Sequence, residues 1–153
     1  MIRYVLAVVL TVALVGIGWA GLEQAAAVRS EQQVENQLAR IDEAAVSLVE
    51  HDDPPARGTQ PARRVISLDF PHDSLTATSV EKLWIRPSPG DVSVAEYTFD
   101  GRASHTRTID ARIRSAGSIP LSDLSGETGT VTVVLSLREN NGSEYVELRV
   151  PPD

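Results

Sequence analysis

The first 50 residues carry two hydrophobic patterns in succession, and both are typical of helices. From Tyr4 to Leu22 the chain has nineteen residues without a charge, which at about 1.5 Å per residue span roughly 28 Å, close to the hydrocarbon core of a membrane. Residues 23–51 include charged residues that form a polar face and an apolar stripe with steps of four, three, four and three. The stripe consists of Val34, Leu38, Ile41, Ala45 and Leu48. We therefore expect a transmembrane helix over 4–22 that continues as an amphipathic helix over 23–51.

The apolar stripe needs a surface to pack against, because a charged helix does not leave a regular apolar face in water. Its partner is another copy of the chain, the chain's own β domain or a different protein. The repeat is too short for a stable free-standing coiled coil. Our hypothesis is that the stripe, with the span before it, forms an assembly contact with other subunits, and that Gln37 lies on the polar face.

The remainder of the chain has the pattern of a small β domain. Asp52-Asp53-Pro54-Pro55 ends the helix because proline lacks the amide donor, and residues 52–63 have the composition of a linker. Residues 64–153 contain apolar positions that alternate with polar ones, as in half-buried strands. The inward positions of the clearest strands are Ile66, Leu68 and Phe70, then Leu83 and Ile85, and then Ile109, Ala111 and Ile113 in a single strand. Asp100-Gly101 predicts a turn.

The last hairpin has the strongest local signal. If Asn141 and Gly142 are the central turn residues, Leu137 lies opposite Val146, and the inward positions before and after them also meet. This agreement predicts an antiparallel domain of about six strands. The expected fold class is α+β, with a long N-terminal transmembrane and amphipathic α-helix followed by a small antiparallel β-sheet or β-sandwich.

The charge of the chain excludes one class of partner. It has 21 acidic and 14 basic residues, a net charge of −7, so nucleic acid is not an expected ligand. The acidic surplus and the preference for arginine over lysine resemble salt-adapted proteins of halophilic archaea, although a high-GC genome gives the same arginine bias. There is no cysteine, which excludes disulfides and thiolate chemistry.

The charges around the apolar span predict its orientation. Arg3 precedes the span and Glu23 follows it, so residues 1–3 are expected in the cytoplasm and the β domain outside, in a single-pass protein of the cell membrane. A signal peptide cleaved after Ala27 is the alternative. In either topology Asn141-Gly142-Ser143 is a possible N-glycosylation site at Asn141.

No pattern of catalytic or metal-binding residues stands out. His51, His72 and His105 have no ligand spacing, and no nucleophile motif or phosphate-binding loop is present. We therefore predict a protein that is not an enzyme, with no catalytic residues, no metal site and no cofactor.

The order of the parts is similar to that of a known family. Met1-Ile2-Arg3, the apolar span from Tyr4, its amphipathic extension and the small β domain together resemble type IV pilin-like proteins, and more narrowly small haloarchaeal membrane-anchored proteins associated with type IV pilus assembly. The resemblance implies a membrane-anchored, non-enzymatic component of a pilus-type surface assembly. Its partners would be membrane lipid and, through the N-terminal helix, copies of itself or other pilin-like subunits.

Two departures from the pilin pattern refine this expectation. Arg3 is followed directly by Tyr4, where processed pilins have glycine or alanine, and no acidic residue occurs before Glu23. They favour an accessory component over a main filament subunit. The alternative function is a signal-anchored or secreted cell-surface binding protein that uses its β domain and is unrelated to pili.

Overall fold

The fold combines a helix with two β-sheets. The computed structural model describes residues 2–55, 59–71, 79–99, 102–116, 122–125 and 128–151, with the side chains of all of these except 2, 18–24, 26–27 and 122–123. The elements are α1 (Ile2–His51), β1 (Arg63–Phe70), β2 (Val80–Pro87), β3 (Ser93–Phe99), β4 (His105–Ile109), β5 (Ile113–Ser115), β6 (Ser122–Asp123), β7 (Gly129–Asn140) and β8 (Ser143–Arg149). The helix ends directly before Asp52-Asp53-Pro54-Pro55, because a proline cannot continue it.

The strands form two four-stranded sheets around a shared core. The first sheet has the order β1-β7-β8-β5, and the second has the order β4-β3-β2-β6. Neighbouring strands are antiparallel except that β5 runs parallel to β8. Leu68 and Leu135 of the first sheet and Leu83 and Ile85 of the second are fully buried in one cluster. The inward faces of the strands thus meet in one core, as in a β-sandwich.

The predicted last hairpin is confirmed. Leu137 pairs with Val146, and Asn140 pairs with Ser143 across the turn. The two turn residues both have positive φ, 53° at Asn141 and 77° at Gly142, which is the backbone that a two-residue hairpin turn requires. Register and turn chemistry are both local properties, and this is why the sequence pattern identifies them.

The predicted strand through Ile109, Ala111 and Ile113 is wrong as a single element. All three side chains are buried as expected, but β4 ends at Ile109 in the second sheet, and β5 begins at Ile113 in the first. Each segment faces the same core, so the alternation of apolar and polar residues continues across the break. The strands in the described residues number eight rather than about six.

The expected fold class and membrane location also need correction. In the part of the chain that the structure describes, no helix is long and apolar enough to cross a membrane. The predicted transmembrane helix and single-pass topology are therefore not supported. The domain is also not purely antiparallel, because β5 and β8 are parallel.

Candidate functional site

The apolar stripe of α1 forms part of the domain's own core. Its five residues are each 0% exposed and belong to the same cluster as the inward residues of both sheets. Gln37, expected on the polar face, is also buried, at 8% exposure. Among the three partners considered for the stripe, the structure shows the chain's own β domain. An assembly contact through these side chains would require α1 to leave the sheets.

Polar contacts fix α1 to strand β4 of the second sheet. The Glu31 carboxylate lies 3.0 Å from Nδ1 of His105, at the start of β4. Further along α1, Oδ1 of Asp42 accepts a hydrogen bond of 2.9 Å from the backbone N–H of Asp110, just after β4. Asp42 follows Glu31 in the helix, and its partner Asp110 likewise follows His105, so α1 and β4 run in parallel.

A second pair of contacts fixes the opposite side of α1 to β1 of the first sheet. Arg64 and Asp52 form an ion pair at 2.7 Å, and Nε2 of Gln33 donates to the Asp69 carbonyl at 2.9 Å. Gln33 precedes Asp52 in the chain, whereas its partner Asp69 follows Arg64, so α1 and β1 run antiparallel. The helix therefore lies between β1 and β4, the edge strands on one side of the sandwich, and closes that side with its apolar stripe.

Tyr97 links the core to the polar border of this interface. Its ring is 1% exposed, stacks on the His105 ring with centroids 5.3 Å apart, and its hydroxyl donates to Oε1 of Glu35 at 3.4 Å. Burial, followed by the negative charges of Glu35 and Glu31, raises the pKa of Tyr97 to about 12. The phenol thus stays protonated and remains a donor to the helix.

The part of α1 before the sandwich exposes its apolar side chains, whereas the stripe buries them. We call residues 4–17 the apolar arm. Its large apolar side chains are 57% to 80% exposed, and they are Tyr4, Val5, Leu6, Val8, Val9, Leu10, Val12, Leu14, Val15 and Ile17. The hydroxyl of Thr11 donates to the Ala7 carbonyl at 2.8 Å, so it needs no outside partner. The arm is the largest unmet apolar surface in the described residues.

One family includes this chain. The family described as "Domain of unknown function (DUF7311)" matches residues 1–151. The chain belongs to it. No curated protein and no solved structure matches the chain.

In this family member the candidate modification site lies at the tip of the β7–β8 hairpin. Asn141 and its neighbours Gly142 and Ser143 are exposed, which leaves the Asn141 side chain accessible. Its glycosylation stays a prediction.

The titratable residues described in this DUF7311 chain form no catalytic group or metal site that we can identify. Within the described ranges, no three potential ligands lie together. His105 faces Glu31 and Tyr97 and serves the helix–sheet interface, and His51 ends α1. His72 and the predicted turn at Asp100-Gly101 lie outside the described residues. Sequence reasoning missed the contacts around His105 and Tyr97, because their partners are more than 60 positions away in the chain.

Proposed function

We propose that this protein is a non-enzymatic, pilin-like structural subunit that assembles with further copies of itself through the apolar arm. The observation that carries the proposal is the change of environment within α1. The five stripe residues between Val34 and Leu48 are 0% exposed, whereas every large apolar side chain from Tyr4 to Ile17 is exposed. The order of parts that resembles pilin-like proteins supports the same function.

The exposed area is too large for an isolated chain. Monomeric proteins rarely expose contiguous apolar patches of more than a few hundred Å². Full burial of one Val, Leu or Ile side chain contributes about 1.5 to 3 kcal/mol. The ten side chains of the arm are 57% to 80% exposed, so their burial is worth on the order of 10 to 20 kcal/mol. This gain is comparable with the about 4 to 15 kcal/mol that association costs.

The comparison of burial gain with association cost favours contact of each arm with several other arms rather than with one. A single partner helix covers only one face of the arm, and thus only part of the available gain. The exposed residues occupy all sides of the helix, since Tyr4, Val5 and Leu6 point in three directions. A helix that is apolar all round is stable when other apolar surfaces surround it.

The chemistry of the arm also indicates what surrounds it. Residues 4–17 contain no charge, and the Thr11 hydroxyl is bonded within the helix. The one other hydroxyl is that of Tyr4 at the end of the arm, so a partner needs no complementary polar groups along the rest of it. Such a surface must be apolar over about 20 Å, the length of the arm. In the described part of this chain only the arm itself has that property, and a second copy therefore supplies the matching surface.

The test measures the mass of the full-length protein by analytical ultracentrifugation over a range of concentrations. We expect oligomers larger than a dimer that dissociate on dilution. Val9→Glu should shift the equilibrium to monomer, because it places a charge inside the assembly. Asn36→Glu is the matched control, since it adds the same charge to an exposed position of α1 beside the sandwich and should leave the mass unchanged.

The variant Gly16→Leu distinguishes specific packing of the arms from non-specific aggregation. Nothing lies within 4 Å of a Cβ placed on Gly16, so the monomer tolerates the change. The substitution makes the arm more apolar, which would increase aggregation, but it prevents the close approach of neighbouring helices. We expect a smaller or weaker oligomer. A monomeric parent, or association that requires lipid vesicles, would overturn the proposal.

A further inference from the structure

The outer face of the first sheet carries a groove lined by arginines. The groove has a volume of about 400 Å³, and it crosses β7 near Ser136. Pro61 and Pro151 form walls beside the sheet, and Arg63, Arg138 and Arg149 line it. We call this cavity the arginine groove.

Strand register places the basic residues on both sides of the central strand. Arg63 of β1 lies opposite Ser136, and Arg149 of β8 lies opposite Val134, two positions along the same face of β7. Neighbouring strands are about 4.8 Å apart, so two long side chains that flank β7 can reach one ligand above Ser136. Ser136 is only 9% exposed although it lies on the outward face, so the side chains around it cover most of its surface.

The groove also has a charge that differs from the rest of the protein. Arg138 is bound by Glu147, with its Nε and Nη2 atoms 3.1 and 3.0 Å from one carboxylate oxygen. Arg63 and Arg149 form no ion pair with the described residues. Three arginines and one glutamate leave a local charge of about +2, whereas the whole chain carries −7. Two guanidinium groups without an ion pair beside one cavity attract an anion, although the chain as a whole is acidic.

We propose that the arginine groove binds a small organic anion that carries carboxylate or phosphate groups. Arginine donates two parallel hydrogen bonds to either group. The volume falls within the about 300 to 1,000 Å³ of small-molecule sites. Val134 and the two prolines give the groove an apolar part, which fits the carbon skeleton of an organic ligand. Ser136 and Gln60 add polar side chains at the same cavity.

Isothermal titration calorimetry of the full-length protein tests this site, with citrate and inorganic phosphate as separate probes at low salt. We expect saturable one-site binding of at least one probe, weakened by added NaCl because salt screens exposed charges. Citrate binding alone identifies a carboxylate ligand, and phosphate binding alone identifies a phosphate ligand. Either outcome supports the groove.

Variants locate the binding. Arg63→Gln and Arg149→Gln should each weaken affinity about five- to tenfold, because each removes a charged donor from the ligand. Neither residue has an ion pair to lose, so the melting temperature should not change. The matched control is Arg102→Gln, an exposed arginine between β3 and β4, which should bind as the parent does. Absence of saturable binding for both probes, or equal weakening in all three variants, would overturn the proposal.

Discussion

Removal of a single side chain from the stripe tests whether α1 is part of the β domain. Leu38 is 0% exposed and packs in the cluster that both sheets share. Leu38→Ala removes three buried carbon atoms and leaves a cavity between rigid strands. Comparable core truncations cost about 2 to 5 kcal/mol. Since a small domain is stable by about 5 to 15 kcal/mol, the expected loss of about 3 kcal/mol is a large part of the total.

The assay is urea unfolding followed by tryptophan fluorescence. Trp84 lies on β2, and its indole N–H donates to Oγ of Ser125 at 3.1 Å. In a Trp19→Phe background it is the only tryptophan, so its signal reports on the second sheet. We expect Leu38→Ala to lower the midpoint of this signal strongly, and the surface change Asn36→Ala to shift the free energy of unfolding by less than about 0.5 kcal/mol.

A particular result would refute this reasoning. If the Trp84 transition of Leu38→Ala coincided with that of the parent, the second sheet would be stable without the helix. The stripe would then be free to leave the sandwich, and its use as a contact with other subunits would again be open.

Three further changes test individual contacts. Ser93→Ala should lower the free energy of unfolding, measured with denaturant, by about 1 to 3 kcal/mol. The buried Ser93 Oγ accepts a 2.7 Å hydrogen bond from the Ile113 N–H, which would lose its partner. A decrease below about 0.5 kcal/mol would contradict this. Gly142→Val should cost about 1 kcal/mol or more at φ 77°, and an unchanged melting temperature would refute the turn. Between pH 10 and about 12 the unfolded state releases the Tyr97 proton while the folded state retains it. Stability should therefore fall by roughly 1 to 3 kcal/mol as pH rises, and the fall should be smaller in Tyr97→Phe; equal pH profiles would show that Tyr97 is not the cause.

The sequence predicts those parts of the fold that depend on neighbouring residues. The stripe from Val34 to Leu48 follows from helical periodicity, and the structure buries each of its members. The β7–β8 hairpin follows from Asn141-Gly142 and the alternating positions on both sides. In each case a short segment contains its own period and its own boundary signal, so no distant contact is needed to identify it.

The remaining features depend on residues far apart in the chain. The break between β4 and β5 has no local signal, since Ile109 and Ile113 keep the same alternation, and the backbone at Asp110 is held by Asp42, which is 68 positions away. The arginine groove joins Arg63 to Arg149 only because β1 and β8 flank β7. Periodicity also could not predict what surrounds residues 4–17, because an uncharged helix is compatible with more than one apolar environment.

The two parts of α1 have different consequences for assembly and folding. The stripe is buried within the chain, so a change there acts first on the free energy of unfolding, whatever the protein assembles with. The apolar arm is exposed, so a change there leaves the monomer's contacts intact and acts on association. Leu38→Ala should therefore lower stability at any protein concentration, whereas Val9→Glu should alter only those properties that depend on concentration. If both variants changed the oligomer mass and neither changed the unfolding midpoint, α1 would be an assembly element along its whole length.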